Sequence, residues 1–232
     1  LTVGNAVDTT TGAMLLSSQD GIAVNNTLTT TGVGGTITIN ANTAGADATG
    51  YTQGAFLISS GDTSANAVKI TVNNGAGSTG TAQLDNITVA TGGSITVDTT
   101  GPAGLATTGG NITQTNAAVL TATTGTVTLK TGTTAGIGAT GATNDINTTA
   151  ATVVATAGTG GVFITETDGA SFTATATGAG NIALTNTSGT LNIAGVLGTG
   201  TGSIALTSGG QITETTGTLS GGTLTTSSVG GT

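Results

Sequence analysis

The feature that most constrains this chain is alternation in short phrases. Thr36-Ile37-Thr38-Ile39, Val68-Lys69-Ile70-Thr71-Val72, Asn86-Ile87-Thr88-Val89, Ser94-Ile95-Thr96-Val97, Thr126-Val127-Thr128-Leu129, Asn181-Ile182-Ala183-Leu184 and Ser203-Ile204-Ala205-Leu206 all follow one rule. In each, Ile, Val or Leu takes one side and Thr, Ala, Asn, Ser or Lys the other, the period-two pattern of a half-buried strand. Between the phrases stand many of the 42 glycines. Glycine every few residues, β-branched Thr, and a near absence of Glu, Lys, Gln, Arg and Met oppose a helix at almost every position. The chain is expected to be all-β.

The phrases also repeat on a longer scale. Ile112-Thr113-Gln114-Thr115 recurs as Ile164-Thr165-Glu166-Thr167 and again as Ile212-Thr213-Glu214-Thr215, at nearly equal steps. Leu120-Thr121-Ala122-Thr123 matches Phe172-Thr173-Ala174-Thr175, with Leu219 in the third copy. Within a cycle the apolar anchors advance by about 7 to 11 residues, one short strand plus a Gly-rich corner. Residues 1–85 carry the same strand type without a clear copy of the cycle. The chain therefore reads as one continuous repeat region over 1–232, clearest over 86–232.

Such strands suit either a β-sandwich or a parallel β-solenoid, and the supply of bulky groups separates them. Val, Ile, Leu and Phe total 48 of 232 residues, and the aromatics are three Phe and one Tyr with no Trp. A sandwich fills a gap of about 10 Å between sheets with large inward residues. A solenoid stacks like on like along a narrow bore. At roughly 20 residues per coil and about 4.8 Å between strands, the chain is expected to form a parallel β-helix of about a dozen coils, roughly 55 Å long. The alternative is an Ig-like β-sandwich of a donor-strand filament subunit. Neither end offers a polar cap, since Gly221-Gly222-Thr223-Leu224-Thr225-Thr226 is still repeat-like. A segment of a longer chain, or a subunit stacking head to tail, is expected.

Charge and chemistry narrow the role. The chain has ten Asp and Glu, two Lys, and no Arg, His or Cys, for a net charge of −8. Nucleic acid is excluded as a partner, because phosphate recognition rests on several cationic contacts and only Lys69 and Lys130 exist. Without His or Cys, most general bases, thiolates and metal ligands are missing. No enzyme activity, catalytic residue, cofactor or metal site is expected. A lyase or hydrolase built on carboxylates alone is disfavoured, for want of paired acids and aromatic or Arg subsites. No membrane insertion is expected either: the longest apolar cluster, Ala13 to Leu16, falls far short of about 18 residues. A signal peptide is expected to lie outside these residues.

The stretch Gly110-Asn111-Ile112-Thr113-Gln114-Thr115, followed by Leu120-Thr121-Ala122-Thr123 and Gly125-Thr126-Val127-Thr128-Leu129, resembles the repeat region of large filamentous-haemagglutinin-like surface proteins. Gly180-Asn181-Ile182-Ala183-Leu184-Thr185-Asn186 and Gly202-Ser203-Ile204-Ala205-Leu206-Thr207 resemble it too, so the likeness spans residues 86–232. It implies a right-handed parallel β-helix, secretion to the cell surface, and adhesion or cell contact. That family's secretion-domain motif, Asn-Pro-Asn-Leu-like, is absent, and the only proline is Pro102.

Individual residues are read conservatively. Gln114, Glu166 and Glu214 occupy equivalent repeat positions, expected at a corner where the strand meets water rather than in a cation-binding row. Asp47, Asp62, Asp85 and Asp98 do not have the spacing of a calcium loop. Lys69 and Lys130 alternate with inward Ile70 and Leu129, so they should point outward and form no isopeptide crosslink. Five Asn-x-Thr/Ser sequons, at Asn25, Asn86, Asn111, Asn147 and Asn186, match the number that chance provides among 16 Asn. Pairs such as Thr113 with Thr115, Thr173 with Thr175 and Thr185 with Thr187 invite an ice-binding reading. That requires register at constant coil length, and the wandering anchor spacing argues against it. Tyr51 is too isolated for a sugar-stacking platform. The expected role is a non-catalytic extracellular fibre or filament, associating end to end or with neighbouring repeats. The alternative is an adhesin segment contacting a cell surface or glycan.

Overall fold

The computed structural model describes residues 1–45, 48–75, 77–101, 108–115, 117–141 and 143–230. They contain 24 strands and no helix. In the first four coils each turn of chain makes three short strands: β1 (Thr2–Val3), β2 (Val7–Thr9) and β3 (Met14–Ser17); β4 (Ile22–Val24), β5 (Leu28–Thr30) and β6 (Ile37–Ala41); β7 (Tyr51–Gln53), β8 (Ile58–Ser60) and β9 (Val68–Val72); β10 (Ala82–Leu84), β11 (Ile87–Val89) and β12 (Ile95–Asp98). Later coils fuse strands across a corner. β13 (Ile112–Gln114) leads to the long β14 (Leu120–Lys130), and β15 (Gly136–Ile137) to β16 (Ile146–Ala157). Then come β17 (Gly161–Glu166) with β18 (Ala170–Ala176), β19 (Ile182–Asn186) with β20 (Leu191–Gly198), and β21 (Ser203–Ser208) with β22 (Ile212–Glu214) and β23 (Thr218–Ser220). β24 (Thr223–Ser228) is the last.

One face runs β1, β4, β7, β10, β13, β15, β17, β19, β21, β24, each parallel to the next. This is the parallel solenoid the alternation implies, and two facing antiparallel layers are not what forms. Described residues put ten rungs on this face rather than about a dozen, giving a stack of about 43 Å at the usual strand spacing. Coil length explains the difference. Ile22 lies opposite Tyr51 and Tyr51 opposite Ala82, so the early coils are half as long again as the expected repeat. Val162 opposite Ile182 and Ile182 opposite Ile204 restore the expected length in the later coils.

The shortening happens at one place. Ile137 pairs with Val162 and Ile146 with Ile164, so Phe163 alone spans on β17 what residues 138–145 span one coil earlier. From there the three-strand coil gives way to longer arms, and the rod narrows.

The bore is built of in-register columns. Met14, Ile37, Val68, Ile95, Val127, Val153, Phe172 and Ile193 stack on the third face. Leu16, Ile39, Ile70, Val97, Leu129, Ala155, Ala174 and Leu197 form the neighbouring column. Apart from half-buried Leu16, all of these are buried. Size alternates where it must: fully buried Tyr51 lies between Ile22 and small Ala82. Burying the Tyr51 phenol raises its pKa well above the usual tyrosine range, desolvation being the first cause and the Asp85 charge the second.

At the corners the bore turns polar. Asn74 saturates its carboxamide there: Nδ2 donates to the carbonyls of Gly80 and Thr99 at 2.9 and 2.8 Å, and Oδ1 accepts from Gly80 N and Ser78 Oγ at 2.7 and 2.9 Å. Gln53, also fully buried, donates to Phe56 O and Asn86 O and accepts from Asp85 N. These side chains satisfy backbone groups that the bend removes from the ladder.

Candidate functional site

One corner differs from the others in holding a buried carboxyl. On β17 the inward alternation Val162, Ile164 continues to Glu166, the last residue of the strand. On β19 it runs Ile182, Leu184, Asn186, and on β21 Ile204, Leu206, Ser208. Register stacks Thr148, Glu166, Asn186 and Ser208 in one column, each no more than 2% exposed. Three of them serve the turn that follows. Glu166 Oε1 accepts from Asp168 N at 3.4 Å, Asn186 Nδ2 donates to Ser188 O at 2.8 Å, and Ser208 Oγ accepts from Gly210 N at 3.2 Å.

Glu166 accepts further bonds from Ala150 N, at 3.2 Å, and from the Thr148 hydroxyl. Burial nevertheless dominates and pushes its pKa up to about 7. The Thr148 bond opposes that rise, and a side-chain hydrogen bond with the Asp168 carboxyl adds to it. No positive side chain intervenes: Lys69 and Lys130 sit exposed on the third face, opposite Thr38 and Thr96 and opposite Asp98 and Thr156. Asp145 approaches the same rung, accepting from Thr165 Oγ1 at 2.9 Å, and its own burial raises its pKa. One rung on, Asn186 Oδ1 is buried with no hydrogen-bond partner. Exposed Asp168 opens onto a shallow hollow of about 300 Å³ lined also by Ala151, Ser171, Thr190 and Asn192.

The expected equivalence of Gln114, Glu166 and Glu214 is therefore corrected. Gln114 pairs with Leu84 and is half-buried, its amide oxygen accepting from Asn147 N at 2.6 Å. Glu214 lies exposed opposite Ile193, on a different column. Only Glu166 is sealed in, not at a wet corner. The three copies were matched by local text, whereas coils of unequal length rotate that text around the axis. Nor are paired acids missing, since the fold brings Glu166 and Asp168 together. Their signal was legible as the inward series Val162-x-Ile164-x-Glu166, Ile182-x-Leu184-x-Asn186 and Ile204-x-Leu206-x-Ser208.

The other candidates have structural positions. Asp62 takes Gly34 N at 2.8 Å and the Ser64 amide and hydroxyl, which hold its carboxyl below the usual range. Asp85 takes Asn86 N and the Thr115 hydroxyl, and Asp98 takes Thr100 N and Oγ1. Asp47 and Pro102 lie outside the described residues. Lys69 and Lys130 point outward as expected. Among the sequons, Asn186 is buried and closed to a glycan in the folded chain, while the Asn147 amide bonds Ala118 O.

The objection to an in-register Thr face also needs correcting. Thr128, Val154 and Thr173 stack on the third face, as do Lys130, Thr156 and Thr175, because changes in coil length are absorbed at other corners. Val154 and Lys130, with Lys69 and Asp98 further up, interrupt the hydroxyl array. Thr113 and Thr185 belong to a different face. No family model, curated protein or solved structure matches the chain.

Proposed function

We propose that this chain is a non-catalytic structural element of an extracellular surface fibre, a stiff spacer whose rungs continue into further rungs of the same chain or of another copy. The observation that carries this is the continuous parallel ladder with an unspent edge. β24 is bonded to β21 on one side, and its residues, with Leu224 half exposed, face outward on the other. A rung in that state is a template for the next one. The likeness of residues 86–232 to filamentous-haemagglutinin-like repeats supports the surface setting, as does a coat of Thr, Asn and Ser with so few charges. A catalytic role is disfavoured by chemistry: Glu166 is sealed from solvent and both lysines lie on another face.

Electron microscopy of the purified chain tests the reading. Fibres with an axial repeat of about 4.8 Å are expected. A chain that stays monomeric at high concentration and binds cells or glycans would favour the adhesin alternative. One observation favours that second reading, a hollow of about 370 Å³ under residues 138–140, where Asn111, Thr140 and Asn181 surround Phe163.

A further inference from the structure

We propose that Glu166, Asp168 and Asn186, with the Thr148 hydroxyl beside them, form a binding site for a divalent cation of the calcium class. The argument begins with charge. The Glu166 and Asp168 carboxyls are hydrogen-bonded to each other, which requires a proton between them. When that proton leaves, two negative groups converge at a corner from which water is largely excluded, and the only two cationic side chains in the chain lie on another face. Asp145, held at Thr165, adds a third negative group nearby. Thr148 below and Asn186 above are neutral, so nothing in the protein offsets this charge.

The donor set is all oxygen, which matches a hard cation. Asn186 Oδ1 is the independent sign. It is an amide oxygen, buried at 1% exposure and without a hydrogen-bond partner, in the column directly over Glu166 at one strand spacing, about 4.8 Å. Buried carbonyl oxygens rarely go unpaired, and each such case calls for a missing partner. A cation seated between the rungs would take Asn186 Oδ1 and both carboxylates as ligands. Exposed Asp168 provides the way in. The spacing of a contiguous calcium loop is absent because these ligands come from stacked rungs, Thr148, Glu166 with Asp168, and Asn186. Cation and proton compete for the same oxygens.

The test is calorimetric titration of the whole chain with CaCl2 at pH 8 and pH 5, with MgCl2 as a size control, alongside thermal melts followed by far-UV circular dichroism. One calcium per chain is expected at pH 8, with affinity at least tenfold weaker at pH 5, in Glu166→Gln and in Asp168→Asn. Calcium should raise the melting midpoint of the parent chain and leave that of Glu166→Gln unchanged. Both substitutions keep side-chain shape, and an unchanged β spectrum verifies folding. The proposal is overturned if CaCl2 to about 10 mM, ten times the weakest extracellular range, gives neither heat nor stabilisation. It is equally overturned if both variants bind calcium as the parent does. Should Glu166→Gln stabilise the chain at pH 8 while calcium has no effect, the pair holds a proton only, and the proposal fails.

Discussion

Glu166 shows how a single residue sets pH behaviour in a chain with few charges. Its folded pKa of about 7 stands above the ordinary 4.5, so the folded state holds a proton that the unfolded state releases between those values. Stability contributed by the neutral carboxyl is complete below about pH 4.5 and is lost as pH rises through 7, with a slope of at most about 1.4 kcal/mol per unit from this group. In metal-free buffer, the melting midpoint is expected to fall between pH 5 and pH 8. Glu166→Gln is expected to flatten that fall, and an equal slope in the variant would place the effect elsewhere. Backbone proximity makes a second prediction at this scale. A Cβ on Gly110 would meet Gly80 O at 1.8 Å, whereas one on Gly4 meets nothing within 4 Å. Gly110→Ala is expected to destabilise the rungs it joins by about 1 to 3 kcal/mol, and Gly4→Ala to change stability by no more than about 0.5 to 1 kcal/mol, as chemical denaturation would read.

At the scale of a strand, the columns decide stability and the outer face decides little. On β12 (Ile95–Asp98), Ile95 is fully buried between Val68 and Val127, while its neighbour Thr96 lies outward between Lys69 and Thr128. Ile95→Ala removes methyl groups from a bore that has no spare side chain to fill the gap. A loss of about 2 to 5 kcal/mol is expected, against about 0.5 kcal/mol for Thr96→Ala, both read from urea unfolding. Comparable losses from the two would mean that inward and outward positions had been misassigned. The same logic explains why polar residues enter the bore only at corners, where Asn74 and Gln53 find backbone partners that mid-strand positions lack.

At the scale of the whole molecule, each rung touches only its neighbours, so protection should be graded along the axis. Hydrogen exchange is expected to be slowest in β12 and β14, which have a rung on either side, and fastest in β24, whose outer edge is open. Fibre formation should slow exchange in β24 selectively. Uniform exchange along the chain would deny the nearest-neighbour picture. The narrowing at Phe163 gives the rod a direction, since the wide coils lie on one side of it and the narrow coils on the other.

Alternation alone determined that the chain is all-β, which residues face inward, and that so few bulky groups must stack around a thin axis. Lys69 and Lys130 were placed outward by that rule, because period two is a local property of the backbone. What only the tertiary structure decided is which rung lies over which. Coils of unequal length place identical phrases at different angles around the axis, so Ile112-Thr113-Gln114 and Ile164-Thr165-Glu166 share a pattern without sharing a column. Stacking, not local text, brought Glu166 over Thr148 and under Asn186, since contacts between rungs depend on the summed length of every corner in between.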